Sequence, residues 1–250
     1  FIFIAAAKVG GIHSNNKFKA EFIQQNLSIQ TNIIHSAYLS GVKSLIFLGS
    51  SCVYPRECKQ PIKESYLLSG PLEKTNDAYA IAKIAGLKMC EAYNKQYNLN
   101  YICLMPTNLY GPNDNYHTQN SHFYPALISK IYNAKIKNKK KIIIWGNGKS
   151  KRELMYVDDL ADACEFFLKK KTKSSLINVG SPIEMSIKDY ANKVKNIIDP
   201  QVKIKFNQDV KLDGVKRKKL DTSLATRNGW KAEMNFSKSL VKTIENFKDF

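Results

Sequence analysis

The sequence is poor in cysteine, and its cysteines are not arranged for metal binding or disulfide pairing. The five positions are Cys52, Cys58, Cys90, Cys103 and Cys164. An odd count without a Cys-x-x-Cys pair argues against a disulfide framework and against a structural zinc site. The sequence therefore predicts a reducing compartment, the cytoplasm, and no bound metal.

Long apolar runs are also missing. No stretch approaches the roughly 18 consecutive apolar residues of a membrane-spanning helix, so no membrane association is expected. The apolar segment 1–7 is short and lacks a basic leader, which predicts a buried strand and not a signal peptide. The chain begins without methionine, as a truncated chain would.

Acidic residues are scarce: 21 Asp and Glu stand against 39 Lys and Arg, a formal net charge of +18. Two classes of protein carry such an excess, namely binders of nucleic acid or other anions, and globular proteins with a lysine-rich surface. Lysine is interleaved with asparagine and isoleucine, as in 136–141, and not combined with arginine and aromatic residues. This pattern favours the second class and argues against a nucleic-acid partner.

Short apolar strands alternate with amphipathic helices. In the first half, strands are predicted at 1–4, 44–48 and 101–105, and helices at 17–39 and from about 79 to 97. In the second half, helices are predicted at about 125–134, 157–168, 186–198 and from about Ser237, and strands at 141–145, 176–179 and 203–206. The alternation predicts an α/β fold with a parallel sheet covered by helices on both faces.

Small or polar residues directly follow three of these strands, at 5–11, 49–52 and 106–109. Ligands of open parallel sheets bind beyond the carboxyl ends of the strands. The three segments are therefore expected to converge on one crevice.

Tyr79 and Lys83 are four residues apart and share one face of a predicted helix. Such a pair is usually solvated surface. Its alternative role is a tuned proton donor, because a neighbouring ammonium favours the phenolate and lowers the pKa of the tyrosine. The segments 49–55 and 106–112 on either side of the helix favour this second interpretation.

Seven distinctive stretches follow one another along nearly the whole chain. They are Ala6–Ile12, Gly49–Pro55, Tyr79-x-x-x-Lys83, Pro106–Pro112, Asn120–Ala126, Trp145–Gly148 and Arg152–Ala163. In this order they resemble the extended short-chain dehydrogenase/reductase family. Cys52, His122 and the Arg152 block resemble, more narrowly, those members that convert GDP-4-keto-6-deoxy-mannose to GDP-L-fucose. The resemblance implies a Rossmann-like doubly wound sheet with a smaller α/β substrate-binding domain, NADP(H) as cofactor and a GDP-sugar as substrate.

The resemblance also implies catalytic roles. A ketone at C4 of a hexose acidifies the hydrogens on both flanking carbons, so that C3 and C5 can be inverted before reduction. Cys52 and His122 would exchange these protons. Tyr79, aided by Lys83 and Ser50, would hold the ketone oxygen and protonate it when hydride arrives from the nicotinamide.

Binding residues follow from the same resemblance. Those implied for the cofactor are Leu48, Gly49, Ser50, Ser51, Lys83, Pro106, Thr107, Asn108, Leu109 and His122. Those implied for the substrate are Lys130, Trp145, Arg152 and Asp213, with the cations on the diphosphate, where arginine suits phosphate oxygens. Solvated surface, or core in the case of Trp145, is the alternative for these residues. The stretch around Asp213 lacks the two prolines of the family pattern.

The glycine-rich turn that opens the family fold is not found before Phe1. The first βα units are therefore expected to be absent, and the chain as given is expected to bind NADPH weakly or not at all. The expected cofactor domain is 1–112 with about 155–182. The expected substrate domain is about 113–154 with 183–250.

The resemblance implies a homodimer of the complete protein through the helices 17–39 and 79–97. Phe18, Phe22, Ile29, Ile33 and Ala37 recur at helical spacing and are predicted to face the core. That arrangement would leave five residues to meet a symmetry mate: Ile23, Ile34 and Tyr38, and on the second helix Met89 and Tyr93.

Two other functions are compatible with parts of the sequence. A nucleotide-sugar 4-epimerase or 4,6-dehydratase of the same family is disfavoured by Cys52 and His122, and by the lack of an acidic residue beside Cys52. A non-catalytic basic scaffold that binds RNA is supported by the charge and by the missing glycine-rich turn. It is disfavoured by the joint presence of five residues, Ser50, Cys52, Tyr79, Lys83 and His122.

Overall fold

The structure, a computed structural model, describes residues 1–117, 121–207 and 215–248. Its elements in chain order are β1 (Ile2–Ile4), α1 (Ile12–Lys17), α2 (Lys19–Leu39), β2 (Ser44–Leu48), α3 (Asp77–Tyr97), β3 (Asn100–Pro106), β4 (Asn108–Tyr110), α4 (Phe123–Ile136), β5 (Lys141–Trp145), β6 (Lys151–Tyr156), α5 (Val157–Lys169), β7 (Leu176–Val179), β8 (Glu184–Ser186), α6 (Ile187–Ile198), β9 (Lys203–Asn207), β10 (Arg217–Lys218), α7 (Ser223–Arg227) and α8 (Phe236–Lys248). No helix among the described residues is both long enough and apolar enough to span a bilayer.

The main sheet has the order β1-β2-β3-β7, with every neighbouring pair parallel. Its faces are filled by alternate residues of each strand, because successive side chains point to opposite sides. Leu45 and Phe47 of β2 pack with Ile34 and Leu87 from α2 and α3. Ile46 between them packs on the other face, which α5 covers. The predicted α/β fold with a covered parallel sheet is confirmed.

The buried face of α2 differs from the predicted one. Phe22 and Ala37 are buried as expected, but Phe18 is exposed and Ile34 is fully buried. Two polar residues, Asn26 and Gln30, lie on the same buried face of the helix, and each is less than 5% exposed. Asn26 donates to the carbonyl oxygens of Lys8 and Phe22, and Gln30 donates to that of Ala82. Because these hydrogen bonds compensate for desolvation, polar residues can occupy positions that an apolar periodicity skips.

The remaining strands form two small sheets around a second core. β6 pairs with β4, β10 and β8, and β5 pairs with β9 in parallel. Four tyrosines with little exposed surface, Tyr110, Tyr124, Tyr156 and Tyr190, pack at the centre of this core. The strands β4, β6, β8 and β10 were not predicted, since they are short or mainly polar. The two-domain division stays a proposal.

Segment 220–230 returns from the second unit to the main sheet. Leu220 packs in the core that α2 and α3 share, and Ala225 and Trp230 pack in the core on the α5 side. The chain just before it, β10, lies beside β6. The return therefore brings β10 close to the carboxyl edge of the main sheet.

Candidate active site

The site is built first on the end of β2. The N–H of Gly49 donates to the carbonyl oxygen of Leu104, and a Cβ on Gly49 would lie 2.2 Å from Sδ of Met105. Any larger residue at position 49 would have to displace the fully buried side chain of Met105. Ser50 follows as the cap of a short 3-10 helix, Ser51–Val53, and its hydroxyl accepts from the N–H of Cys52 at 3.4 Å.

Lys83 is anchored to the end of the same strand. Its side chain is almost fully buried, and Nζ donates to the carbonyl oxygen of Leu48 at 2.8 Å. Nζ also lies 4.7 Å from the ring centroid of Phe47 and 5.8 Å from that of Tyr79. Burial lowers the pKa of Lys83, while the nearby thiols of Cys103 and Cys52 act to raise it. The buried ammonium is thus fixed one helical turn from Tyr79.

The pKa of the Tyr79 phenol is raised, whereas the sequence predicts that it is lowered. Burial raises its pKa and the neighbouring Cys52 raises it further, while a hydrogen bond with Ser50 opposes both. The expectation of a pKa lowered by Lys83 was wrong, because burial of the phenol raises its pKa and the ammonium is directed at the carbonyl oxygen of Leu48. The ring packs edge-on against Phe22, with centroids 6.3 Å apart. At neutral pH Tyr79 is therefore a positioned acid.

Cys52 and His122 come from different parts of the chain. Cys52 is buried, and this raises the pKa of its thiol against the opposing effects of Lys218, Ser50 and Lys83. His122 caps the N terminus of α4, and loss of hydration lowers the pKa of its ring; Asp114 opposes this and Lys218 adds to it. Cys52 thus carries a proton at neutral pH and His122 does not. Both residues interact electrostatically with the same cation, Lys218.

Lys218 is a functional candidate that the sequence did not reveal. It is half-buried on β10, directly in register with Arg152 on β6. Burial lowers its pKa, Cys52 raises it and Arg152 lowers it. Two cations therefore stand side by side on parallel strands, and one of them, Lys218, interacts electrostatically with the Cys52 thiol. Arg152 itself donates to the carbonyl oxygen of Val215 at 2.7 Å, which ties β6 to the segment that leads into β10.

Segment 106–109 lies at the same edge of the main sheet. Pro106 ends β3 and pairs with Val179 of β7, and Asn108 and Leu109 begin β4. The N–H of Thr107 donates to the carbonyl oxygen of Val179, and its hydroxyl donates to that of Glu153. The carboxyl ends of β1, β2 and β3 meet here, as expected from three parallel neighbours.

Lys130 and Trp145 lie in a different cleft, of about 750 Å³, between α4 and β5. Nζ of Lys130 lies 5.6 Å from the indole centroid and donates to the carbonyl oxygen of Ile143. The indole is 67% exposed, which excludes the alternative of a core residue. The remaining predicted substrate residue, Asp213, falls outside the described residues. In the part of the chain that is described, no group of three or more His, Cys, Asp or Glu side chains could hold a metal ion.

Comparison with known proteins finds a matching family model and similar relatives. The family model for the NAD dependent epimerase/dehydratase family matches residues 1–180. The chain is similar to GDP-L-fucose synthase 1 of Arabidopsis thaliana, with 48% identity over 98% of this chain and 76% of the relative. It is 44% identical to the GDP-L-fucose synthase of Escherichia coli strain K12, over 98% of this chain and 79% of the relative.

A solved structure has the same fold. The GDP-mannoheptose C4 reductase from Campylobacter jejuni, determined with NADP bound, superposes with a TM-score of 0.89. The two sequences are 36% identical, and the match covers 98% of this chain and 80% of the other. The main sheet and the second unit are therefore both part of the shared architecture.

Proposed function

Because this chain belongs to the NAD dependent epimerase/dehydratase family, we propose that the full-length protein converts GDP-4-keto-6-deoxy-mannose to GDP-L-fucose with NADPH. C3 and C5 are inverted first, and the ketone at C4 is then reduced. The observation that carries this proposal is that two groups of side chains share Cys52. The first group is Tyr79, Lys83 and Ser50, which interact with Cys52. The second group is Cys52 and His122, which both interact with Lys218. Reduction needs the first group, and inversion needs the second.

The residues present fit a nicotinamide dinucleotide. A buried ammonium, Lys83, and two hydroxyls, Ser50 and Tyr79, lie at the carboxyl edge of a parallel sheet, where such ligands bind. Lys83 and the segments 48–51 and 106–109 would hold the cofactor, NADP(H), which supplies hydride when bound.

Inversion requires an acid and a base on the sugar. A carbon next to the C4 ketone loses its proton to one group and regains a proton from another, on the opposite face. Burial keeps the Cys52 thiol protonated, so that it can act as the acid, and it keeps the His122 ring neutral, so that it can act as the base. Tyr79, as a protonated phenol hydrogen-bonded to Ser50, stabilises the negative charge that develops on O4.

Reduction uses the same oxygen. When hydride reaches C4, O4 becomes an alkoxide and takes the phenol proton of Tyr79. Lys83 stabilises the phenolate that is left, since its ammonium lies beside the ring. One crevice can thus serve the two inversions and the reduction, because negative charge develops on O4 in each of these three steps.

We assign the GDP group to two cations at the crevice and to the separate cleft between α4 and β5. Lys218 and Arg152, side by side on β10 and β6, would meet the diphosphate. Lys130 and the exposed indole of Trp145 would meet the nucleoside. Incubation with GDP-4-keto-6-deoxy-mannose and NADPH should give GDP-L-fucose on chromatography. Turnover of UDP-galactose instead, or reduction of the ketone without inversion, would overturn the assignment.

A homodimer and a cytoplasmic location are part of the proposal. Four aromatic side chains cluster on the outer faces of α2 and α3: His35, Tyr38, Tyr93 and Tyr97. Tyr38 stacks on Tyr97 with centroids 4.1 Å apart, and the Tyr93 hydroxyl lies 2.7 Å from Nδ1 of His35. Such a patch suits a self-complementary two-fold interface. Ile34 takes no part, because it is fully buried.

A further inference from the structure

Glu153 is a carboxylate with no exposed surface, and it follows Arg152 on β6. Burying a charge in this way is costly unless hydrogen bonds compensate for lost hydration. The catalytic steps described above make no use of this residue. Its surroundings therefore call for another explanation.

The carboxylate is held by backbone donors from two segments. Oε1 accepts from the N–H of Ser181 at 2.7 Å, and Oε2 accepts from the N–H of Leu220 at 2.8 Å. A Cβ on Gly180 would lie 2.2 Å from Oε1, so the chain leaves only enough room for glycine there. Burial raises the pKa of Glu153 to about 7, against the opposing effects of the Leu220 N–H, Lys219 and the Ser181 N–H.

One of these bonds acts on the strand that carries Lys218. β10 has two residues and makes two register pairs with β6, Arg217 with Lys151 and Lys218 with Arg152. Leu220 is two residues beyond Lys218. The bond from Leu220 to Glu153 therefore fixes the backbone directly after a very short strand, next to the hydrogen bonds that Lys219 makes with Gln60 and Ile62.

We propose that Glu153 is a positioning residue, which through the backbone of Leu220 holds Lys218 beside Cys52 and Arg152 in the substrate crevice. The role of Lys218 towards the substrate rests on the function proposed above. The position of Lys218 relative to Cys52 does not, and it can be tested separately.

The test begins with Glu153→Gln, which keeps the size of the side chain. An amide has one acceptor oxygen, so its NH2 group must face one of the two backbone N–H donors. The matched control is Glu64→Gln, because Glu64 is a half-buried carboxylate that likewise accepts a backbone N–H, that of Asn178, at 2.9 Å. If Glu153→Gln does not fold, Gly180→Ala displaces the carboxylate without removing it.

Steady-state kinetics give the first readout. Loss of one charge-assisted hydrogen bond should raise KM for GDP-4-keto-6-deoxy-mannose by about tenfold in Glu153→Gln, with KM for NADPH changed less than about twofold. The double variant with Lys218→Met should raise KM no further than Lys218→Met alone, since the two residues act through one contact. Multiplied effects, or an unchanged KM in folded Glu153→Gln, would overturn the proposal.

Alkylation of Cys52 gives a second readout that needs no turnover. Lys218 lowers the pKa of the Cys52 thiol, so its displacement should shift the pH midpoint of iodoacetamide labelling upward. Glu153→Gln and Lys218→Met should shift it alike, and Glu64→Gln should not. A midpoint unchanged in Glu153→Gln would contradict the positioning role, whereas absence of GDP-L-fucose formation by the wild type would contradict the proposed function.

Discussion

Removal of a single oxygen atom from Tyr79 should abolish reduction and leave the fold intact. In Tyr79→Phe the ring keeps its edge-on packing against Phe22. Among the described side chains, the interaction that the substitution removes is the hydrogen bond of the phenol with Ser50. Loss of a positioned general acid costs roughly 10²–10⁴ in rate. This range corresponds to about 3–5 kcal/mol in activation free energy. The free energy of unfolding should change by less than about 1 kcal/mol, the worth of one hydrogen bond.

Tyr54→Phe is the matched control, because it removes the same atom from a structural tyrosine. The Tyr54 hydroxyl donates to Oδ1 of Asn178 at 2.6 Å, and both side chains are buried. Its loss leaves a buried acceptor unpaired, which costs about 1–3 kcal/mol in unfolding free energy. The turnover of the folded protein should stay within about twofold of the wild type, since Tyr54 packs in the core below the crevice.

The assay is NADPH oxidation in the presence of the 4-keto sugar, combined with urea unfolding of both variants. The expected pattern is a crossed one: Tyr79→Phe loses rate and Tyr54→Phe loses stability. A folded Tyr79→Phe variant that retains more than about a tenth of the rate would refute the acid role. Equal loss of rate in both variants would show that the effect is structural.

Three further outcomes are expected. Cys52→Ser and His122→Asn should slow solvent deuterium incorporation at C3 and C5 more than they slow reduction, and unchanged exchange in both would refute the acid/base pair. Gly49→Ala should destabilise the fold by about 1–3 kcal/mol, because its Cβ would meet Met105 at 2.2 Å, whereas Gly70→Ala, with Pro55 at 3.4 Å, should be tolerated in urea unfolding. Tyr38→Asp with Tyr97→Asp should sediment as a monomer where the wild type is a dimer, and a double variant that still dimerises would defeat the interface.

The sequence was sufficient for the elements with strong apolar patterns. The strands at 44–48, 141–145 and 176–179 lie where continuous apolar runs predicted them. The phase of α2 was not predictable from apolar residues, because Asn26 and Gln30 are buried through hydrogen bonds made by distant parts of the chain. Long-range compensation of this kind leaves no local signal.

The site shows the same limit. Ser50, Cys52, Tyr79 and Lys83 stand in recognisable motifs, and the structure places them together. Lys218 stands in a run of four basic residues, 216–219, where one lysine looks like the next. Lys218 is distinguished by the pairing of β10 with β6, and a strand of only two residues has too short a pattern for this pairing to be predicted from the sequence.

The most direct test of a single crevice for inversion and reduction is one reaction run in deuterium oxide. The protein is incubated with GDP-4-keto-6-deoxy-mannose and NADPH, and the nucleotide sugar is analysed by NMR. We predict GDP-L-fucose with deuterium at both C3 and C5. With Tyr79→Phe we predict a 4-keto sugar that is not reduced and that exchanges at these carbons more slowly than with the wild type. A reduced product that retains hydrogen at C3 and C5 would contradict the account.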